Sequence, residues 1–360
     1  MLFFVLFCIF LYVLNAFINP FPAKSVPEGF RPKYGTSFNF EESKWFGQDP
    51  REQYIKMLDT YKLDWVRLPF FWDKALKADG SLDLEDIKFA ITEAEKRNVK
   101  RIVAVGVKTP YHPEFHIPEK YQSKVKFGDT ITTSHPIADE VLKTTQKVVA
   151  ELSVYDNIGW WQVENEPFLA NINNVEIDRD FLAKEVILVR ETDPLHRPII
   201  LTNHGPSSFD SEWKKYFEIL EPGDIFGVNA FFKIQGPHLF SFSFGGKNFQ
   251  VPWPSYVSWP AQSWPYLSAD YAGVKKYSQN KKVQMWVMEM QAEPYIRTIS
   301  DSQKRHFEFS SEDIKKADRF LKALRIDSVG LWGVNFWLYR DSLGDKSWSN
   351  SVLDMLAVSK

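Results

Sequence analysis

Eight short runs rich in β-branched and aromatic residues alternate with stretches of helical length between residues 33 and 340, and this alternation constrains the fold more than any other feature. The runs are Tyr34–Phe38, Asp64–Pro69, Arg101–Val107, Ile158–Val163, Pro198–Thr202, Asp224–Asn229, Val283–Met288 and Val329–Phe336. Between them Gln53–Tyr61, Leu84–Asn98, Ile137–Tyr155, Asp180–Thr192, Trp213–Leu220, Ala269–Ser278 and Ser311–Leu324 read as helices. In the second of these, Ile87, Ala90, Ile91 and Ala94 share one face while charge occupies the other. Arg101–Val107 is apolar almost throughout, as strands covered on both faces are. Strand-helix alternation without a break in composition predicts one parallel α/β unit. Eight repeats predict a single (β/α)8 TIM barrel with extended βα loops; a doubly wound open sheet is the alternative. Neither G-x-G-x-x-G nor G-x-x-x-x-G-K is present, so no nucleotide cofactor is expected.

Charge and cysteine usage narrow the function classes. Lys and Arg number 44 against 46 Asp and Glu, a formal charge of −2, which lacks the basic field of a nucleic-acid-binding surface. The one cysteine, Cys8, lies in the leading segment, so neither disulfides nor cysteine-based metal or redox chemistry is expected of the body. Residues 2–18 are apolar apart from Asn15, which suits the core of a secretory signal or a short membrane anchor. Either places the remainder, secreted or membrane-anchored, outside the cytoplasm. Residues 19–32, carrying Pro20, Pro22 and Pro27, read as a linker, and 33–360 as the catalytic domain.

Aromatic residues make up 16% of the chain, and large aromatic cores and sugar-stacking platforms are both consistent with that figure. Two long gaps, Lys108–Ser134 and Phe231–Ser268, follow the third and sixth strands and fall on the barrel rim, where active sites sit. The second holds Phe249, Trp253, Tyr256, Trp259, Trp264 and Tyr266, a set able to stack on sugar faces or to form a small core of its own.

The chemistry-bearing residues lie at strand ends. Trp161-Gln162-Val163-Glu164-Asn165-Glu166-Pro167 closes the fourth strand, and Met285-Trp286-Val287-Met288-Glu289 the seventh. Carboxylates there point into the mouth of a barrel and face each other across it. Glycoside hydrolysis needs such a pair, one carboxyl to protonate the leaving oxygen and one to attack the anomeric carbon. The acid needs a raised pKa, which a second carboxylate nearby supplies by repulsion.

These segments resemble the large retaining clan of (β/α)8 glycoside hydrolases, which carries its acid/base on strand four and its nucleophile on strand seven. The similarity spans about residues 33–340. It implies that Glu166 is the acid/base, that Asn165 bonds the sugar 2-hydroxyl, and that Glu289 is the nucleophile. Arg67, in Trp65-Val66-Arg67-Leu68-Pro69, matches the clan's arginine that bonds the nucleophile, and Trp337 the tryptophan that floors the sugar subsite. The resemblance implies a β-linked oligo- or polysaccharide as substrate and no cofactor. One departure stands out. The clan often has Tyr or His at the end of strand six, where this chain has Asn229-Ala230-Phe231-Phe232, so either Asn229 substitutes, or Tyr295 or Tyr339 reaches in, or the site is tuned differently.

Further candidates are weaker. Glu293 competes with Glu289 as nucleophile, and Glu164 shares a side with Glu166 if the strand continues to alternate. His204, Trp72 and Lys108 fall near strand ends and are candidate substrate contacts. His112, Glu114 and His116 offer metal-ligand chemistry, but Pro113 breaks the helix that would align them. The rival classes are a non-catalytic carbohydrate-binding barrel and a metal-assisted isomerase or lyase. For the retaining hydrolase, the two carboxyl groups are expected roughly 5–5.5 Å apart.

Overall fold

A computed structural model describes residues 25–111, 114–126, 128–169, 175–205, 211–234, 238–244, 247–252, 257–258, 271–296, 298–305, 307 and 309–357. Residues 2–18, read as signal or anchor, lie outside this range, as do His112, Pro113 and most of the aromatic set between 253 and 266. No described helix is long and apolar enough to cross a membrane.

Eight parallel strands close into a barrel. They are β1 (Lys33–Ser37), β2 (Trp65–Pro69), β3 (Lys100–Val105), β4 (Ile158–Val163), β5 (Ile199–Asn203), β6 (Ile225–Ala230), β7 (Gln284–Gln291) and β8 (Ser328–Trp332). Pairing of Tyr34 with Val329 and Gly35 with Gly330 joins β1 to β8, which rules out the open sheet. The helices that return the chain are α1 (Pro50–Thr60), α2 (Glu85–Glu95), α3 (Ala138–Leu152), α4 (Arg179–Thr192), α5 (Tyr271–Asn280) and α6 (Ser311–Ala323). The stretch around Trp213 forms a 3-10 helix, Glu212–Glu218, in place of the expected α-helix.

Local sequence sets these elements. α1 begins where the Asp49 carboxylate accepts from the Glu52 N–H and Pro50 supplies a preset φ at the first helical position. α3 buries Val141, Thr145, Val148, Val149 and Leu152, an i, i+4, i+7, i+8, i+11 stripe that faces the sheet. α6 starts on a capping box between Ser310 and Asp313.

The barrel interior is filled from below by Trp65, Ile102, Ile200, Ile225, Trp286 and Met288. The Trp65 and Trp286 rings stack 6.2 Å apart, and the Trp65 indole donates to Ser328 Oγ at 2.8 Å. So large a side chain needs space. A Cβ at Gly35 would fall 2.0 Å from the Trp65 ring, and one at Gly330 2.6 Å from it. Burying one such ring removes roughly 150–250 Å² from water, worth about 4–6 kcal/mol at the usual area coefficient. The floor beneath the mouth is therefore solid.

β8 ends at Trp332, four residues before the expected boundary. Gly333 turns at φ +137°, and a further helix, α7 (Val334–Ser342), follows, then α8 (Ser347–Ala357). The loops after β3 and β4 brace each other through a two-residue parallel pairing of Thr130–Ile131 with Glu176–Ile177.

Candidate active site

Glu289 owes its direction to a β-bulge. Trp286 and Met288 both pack inside the barrel, so plain alternation would turn Glu289 outward. The β6–β7 register runs Val228 opposite Val287, then Asn229 opposite Glu289, leaving Met288 without a partner. On the other side, Met288 and Glu289 together face Gly330, since pairing resumes at Met290 with Leu331. The extra residue returns Glu289 to the inward face beside Asn229.

Arg67 meets Glu289 there. It is fully buried; its Nη2 donates to Glu289 Oε1 at 2.6 Å, its Nη1 to Gln162 Oε1 at 3.2 Å, and its Nε to Ser37 Oγ at 2.7 Å. Three strands thus fix one guanidinium, and the Trp332 ring lies 5.8 Å from its carbon.

Glu166 arrives by a different route. β4 ends at Val163, after which Glu164 (φ +57°) and Glu166 (φ +47°) adopt left-handed backbone, and strand alternation is lost. Asn165 N–H donates to Lys108 O at 2.7 Å, and Glu166 N–H to Thr202 Oγ1 at 3.1 Å. The Glu166 side chain then accepts from Asn229 Nδ2 at 2.6 Å. Asn229 touches the carboxyl of Glu166 and is the register partner of Glu289, so one residue of β6 lies beside both. Burial raises the Glu166 pKa well above the usual carboxylate range; the neighbouring charges of Glu114 and Glu289 raise it further, against the opposing pull of Asn229 and Lys108.

Asn165 is buried next to this pair. Its Oδ1 accepts from Gln162 Nε2 and Thr202 Oγ1, both at 3.1 Å, which orients the amide, while its Nδ2 is buried with no hydrogen-bond partner. A donor so left points to a ligand acceptor.

Several expected contacts fall elsewhere. Glu164 does not share the mouth with Glu166. It turns outward, accepts the Val107 and Lys108 N–H groups, and packs against Glu185 of α4. Burial lifts its pKa to about 7, although both N–H bonds oppose that. Gly106 makes the room, since a Cβ there would lie 2.3 Å from Glu164 Oε1. Lys108 is buried and donates to the carbonyls of Glu166 and Leu169 at 2.7 and 2.9 Å, so its ammonium ties down the loop that carries Glu166. Trp72 is buried against Tyr121, ring centroids 5.0 Å apart, and takes no part in the cleft. Trp337 lies on α7, fully buried, its indole donating to Ala292 O at 2.7 Å. The early end of β8 puts Trp332, half-buried, at the mouth in its stead. His204 is exposed just past β5. His116 Nδ1 lies 3.1 Å from Asp73 Oδ1 and its ring against Phe71. Among the described residues no three His, Cys, Asp or Glu side chains gather as metal ligands.

Of the three substitutes for the missing strand-six hydroxyl, Asn229 serves Glu166, and Tyr339 stacks on Phe46 at 4.4 Å and accepts from Gln303. Tyr295 is 37% exposed, and its ring lies against Phe231, centroids 5.9 Å apart.

Glu293, which follows β7, is buried. Burial raises its pKa well above normal, with Glu42 and Glu289 adding to the rise and a bond from Trp332 opposing it. Glu42, in the short helix Phe40–Trp45 after β1, is lifted by burial to about 8. A recess lined by Ser37, Asn39, Glu42, Pro110, Trp332 and Gly333 opens here. Nothing in the Phe40-Glu41-Glu42-Ser43 segment marks Glu42 as part of a site, whereas Gly333 did signal that the strand stops at Trp332.

Residues 29–252, more than half of the chain, match the model of the cellulase family, glycosyl hydrolase family 5. The match includes Arg67, Asn165 and Glu166; Glu289 lies beyond it. No curated protein matches. Among solved structures, a family 5 enzyme from Prevotella bryantii B14, in complex with a xyloglucan tetradecasaccharide, is similar over 94% of this chain and 99% of its own, at 12% identity and TM-score 0.54. A GH5_18 protein from Streptomyces cattleya in complex with GlcNAc is similar over 86% of this chain and 71% of its own, at 13% identity and TM-score 0.54. The β-galactosidase of the psychrophilic Marinomonas ef1 is similar over 91% of this chain at 12% identity and TM-score 0.54, and the chain spans 59% of its length. At these identities the structures speak for the fold. Together with the family match they place this (β/α)8 barrel in glycosyl hydrolase family 5.

Proposed function

We propose that the protein is a retaining glycoside hydrolase that cleaves β-linked glycan, with Glu289 as nucleophile and Glu166 as acid/base. The observation that carries this reading is the unequal treatment of two carboxyls on facing strands. Glu289 is ion-paired with buried Arg67, whereas burial and its acidic neighbours raise the pKa of Glu166 and so favour its protonated form. That division of roles is what double displacement needs.

Glu289 attacks the anomeric carbon while Glu166 gives its proton to the departing oxygen. A glycosyl–Glu289 ester forms and the glycosidic C–O bond breaks. Glu166, now ionised and bonded to Asn229, takes a proton from water. That water attacks the same carbon, Glu289 leaves, and two inversions restore the configuration. The unpaired Asn165 Nδ2 suits the 2-hydroxyl, and Trp332 forms the apolar floor. The β-linked class is supported by the clan resemblance, and the xyloglucan-bound Prevotella neighbour is in keeping with it.

Glu166→Gln tests the acid/base role. An unactivated glycoside should slow by roughly 10²–10⁴-fold, the usual worth of general acid catalysis. The first step on an aryl glycoside with a very good leaving group should be spared. Equal, small losses on both would remove Glu166 from the role. We further propose that residues 2–18 carry the protein out of the cytoplasm; their composition alone supports this. Fusing them to a reporter that is active only outside the cytoplasm tests it, and a silent reporter would refute it.

A further inference from the structure

α4 buries Phe181, Leu182, Glu185, Val186 and Val189, a stripe at helical spacing that is apolar except for one residue. Glu185 is fully buried, and neither of its carboxyl oxygens accepts a hydrogen bond from a backbone N–H, hydroxyl, amide or cation. The polar group against it is the carboxyl of Glu164, itself fully buried. The double displacement described above uses neither residue.

Two carboxylates side by side in the interior repel, and no donor offsets a charge on Glu185. A neutral Glu185 avoids both costs, because its O–H then donates to Glu164. Glu164 is the better anion of the two. It accepts the Val107 and Lys108 N–H groups, and the ammonium of Lys108 faces it from the loop after β3. Lys108 in turn lies in the field of Glu114, Glu166 and Glu176. Burial raises both acids, but Glu185 lacks N–H donors and stands well above the carboxylate range, with the charge of Glu164 adding to the rise. The proton that the pair keeps longest is therefore on Glu185.

The pair sits directly behind the turn that aims Glu166. Glu164 and Glu166 both hold left-handed backbone, which costs non-glycine residues on the order of 1–3 kcal/mol each and persists only where the surroundings impose it. On one side the turn is tied to the loop after β3, through Asn165 N–H to Lys108 O and through the Lys108 ammonium to the Glu166 and Leu169 carbonyls. On the other side the contact of Glu164 with Glu185 ties it to α4. Without the Glu185 O–H that second tie is lost, and the strained turn is free to relax.

We propose, on the reading of Glu166 as acid/base, that Glu185 is a positioning residue: a neutral buried acid whose O–H, donated to the Glu164 carboxylate, ties the Glu164-Asn165-Glu166 turn to α4 and so fixes the direction of the Glu166 carboxyl. Ionising Glu185 sets two negative charges in contact against the single charge of Lys108 and undoes the tie. The folded chain keeps a proton on Glu185 that the unfolded chain releases near the ordinary glutamate value. The contribution of this proton to stability is full below that value and is lost as pH rises through the raised one.

Glu185→Leu removes the donor, and Glu185→Gln keeps one in nearly the same shape. On the full-length protein, kcat/KM is measured for an aryl glycoside whose leaving group needs a proton and for one whose leaving group does not. Glu185→Leu should slow the first roughly 10- to 100-fold, as a slightly misplaced catalytic group does, and the second by less than about threefold. Glu185→Gln should stay within about threefold of the unsubstituted protein on both. Melts from about pH 5 to about pH 9 give a second readout: Glu185→Gln should flatten the fall of Tm with rising pH, leaving the slope due to Glu42, Glu164, Glu166 and Glu293. Equal slowing of both glycosides by Glu185→Leu would leave Glu185 a packing residue and overturn the proposal. So would a glutamine variant as slow as the leucine one, or one whose Tm falls as steeply as that of the unsubstituted protein. If Glu185→Leu does not fold, Glu185→Asp, which shortens the reach by one methylene, takes its place under the same criterion. A protein that without substitution turns over neither glycoside loses the hydrolase reading and this assignment together, whereas an active one that fails these criteria loses this assignment alone.

Discussion

The carbonyl oxygen of Met288 occupies the space where a side chain at Gly330 would stand: a Cβ there would lie 2.2 Å from that oxygen. The bulge that turns Glu289 into the cleft thus depends on a missing side chain in the neighbouring strand. Gly330→Ala should cost roughly 1–3 kcal/mol by overpacking. Activity should fall much further than stability, because relieving the clash by flattening the bulge rotates Glu289 outward. Thermal melts alongside kcat measurements check this; a variant with normal kcat would show that the bulge does not set Glu289.

Arg67 is the buried counter-charge of Glu289. Arg67→Ala should destabilise by about 3–5 kcal/mol, since a buried carboxylate is left unpaired. Arg67→Lys should recover much of that stability but little activity, because an ammonium cannot reach Ser37, Gln162 and Glu289 together as the guanidinium does. Denaturant titration and kcat/KM on the two variants separate the effects; a fully active lysine variant would show that charge alone suffices.

In the proposed mechanism the acid form of Glu166 is the active one, so kcat/KM should fall as pH rises through its raised pKa. Glu114 helps raise that pKa, so Glu114→Gln should move the alkaline limb to lower pH. The Asn229 bond favours the ionised form, so Asn229→Ala should move the limb to higher pH, with a lower maximum. Opposite displacements in the two pH profiles are the expected result. A limb unmoved by both substitutions would mean that another group titrates.

The two tryptophans near the chain end give a direct contrast. Trp332→Ala should raise KM and lower kcat with little loss of stability, because the ring is half-buried over Arg67. Trp337→Phe should leave KM unchanged and lower stability by about 1 kcal/mol through loss of the bond to Ala292 O. Steady-state kinetics and melts on both variants check this; a KM effect confined to Trp337 would return it to the cleft.

The barrel was legible because buried parallel strands are near-continuous apolar runs, and the candidate site because carboxylates stand where such runs stop, as Glu166 and Glu289 do. The bulge was hidden, since Val287-Met288-Glu289-Met290 carries no glycine or proline to announce it. The parity conflict between inward Trp286 and Glu289 was the available signal. Trp337 misled because two tryptophans flank a strand end that only Gly333 marks. Lys108 and Trp72 misled because proximity to a strand end does not tell a cleft side chain from one that braces a loop. Glu42 was invisible because its place depends on Asn335, almost three hundred residues away along the chain.

Covalent trapping with a 2-deoxy-2-fluoro glycoside bearing a good leaving group tests the assignment of Glu289 most directly. Peptide mass spectrometry should find one added glycosyl unit on Glu289, and none after Glu289→Gln. A label on Glu293, or no label on an enzyme that still turns over its substrate, would contradict the account.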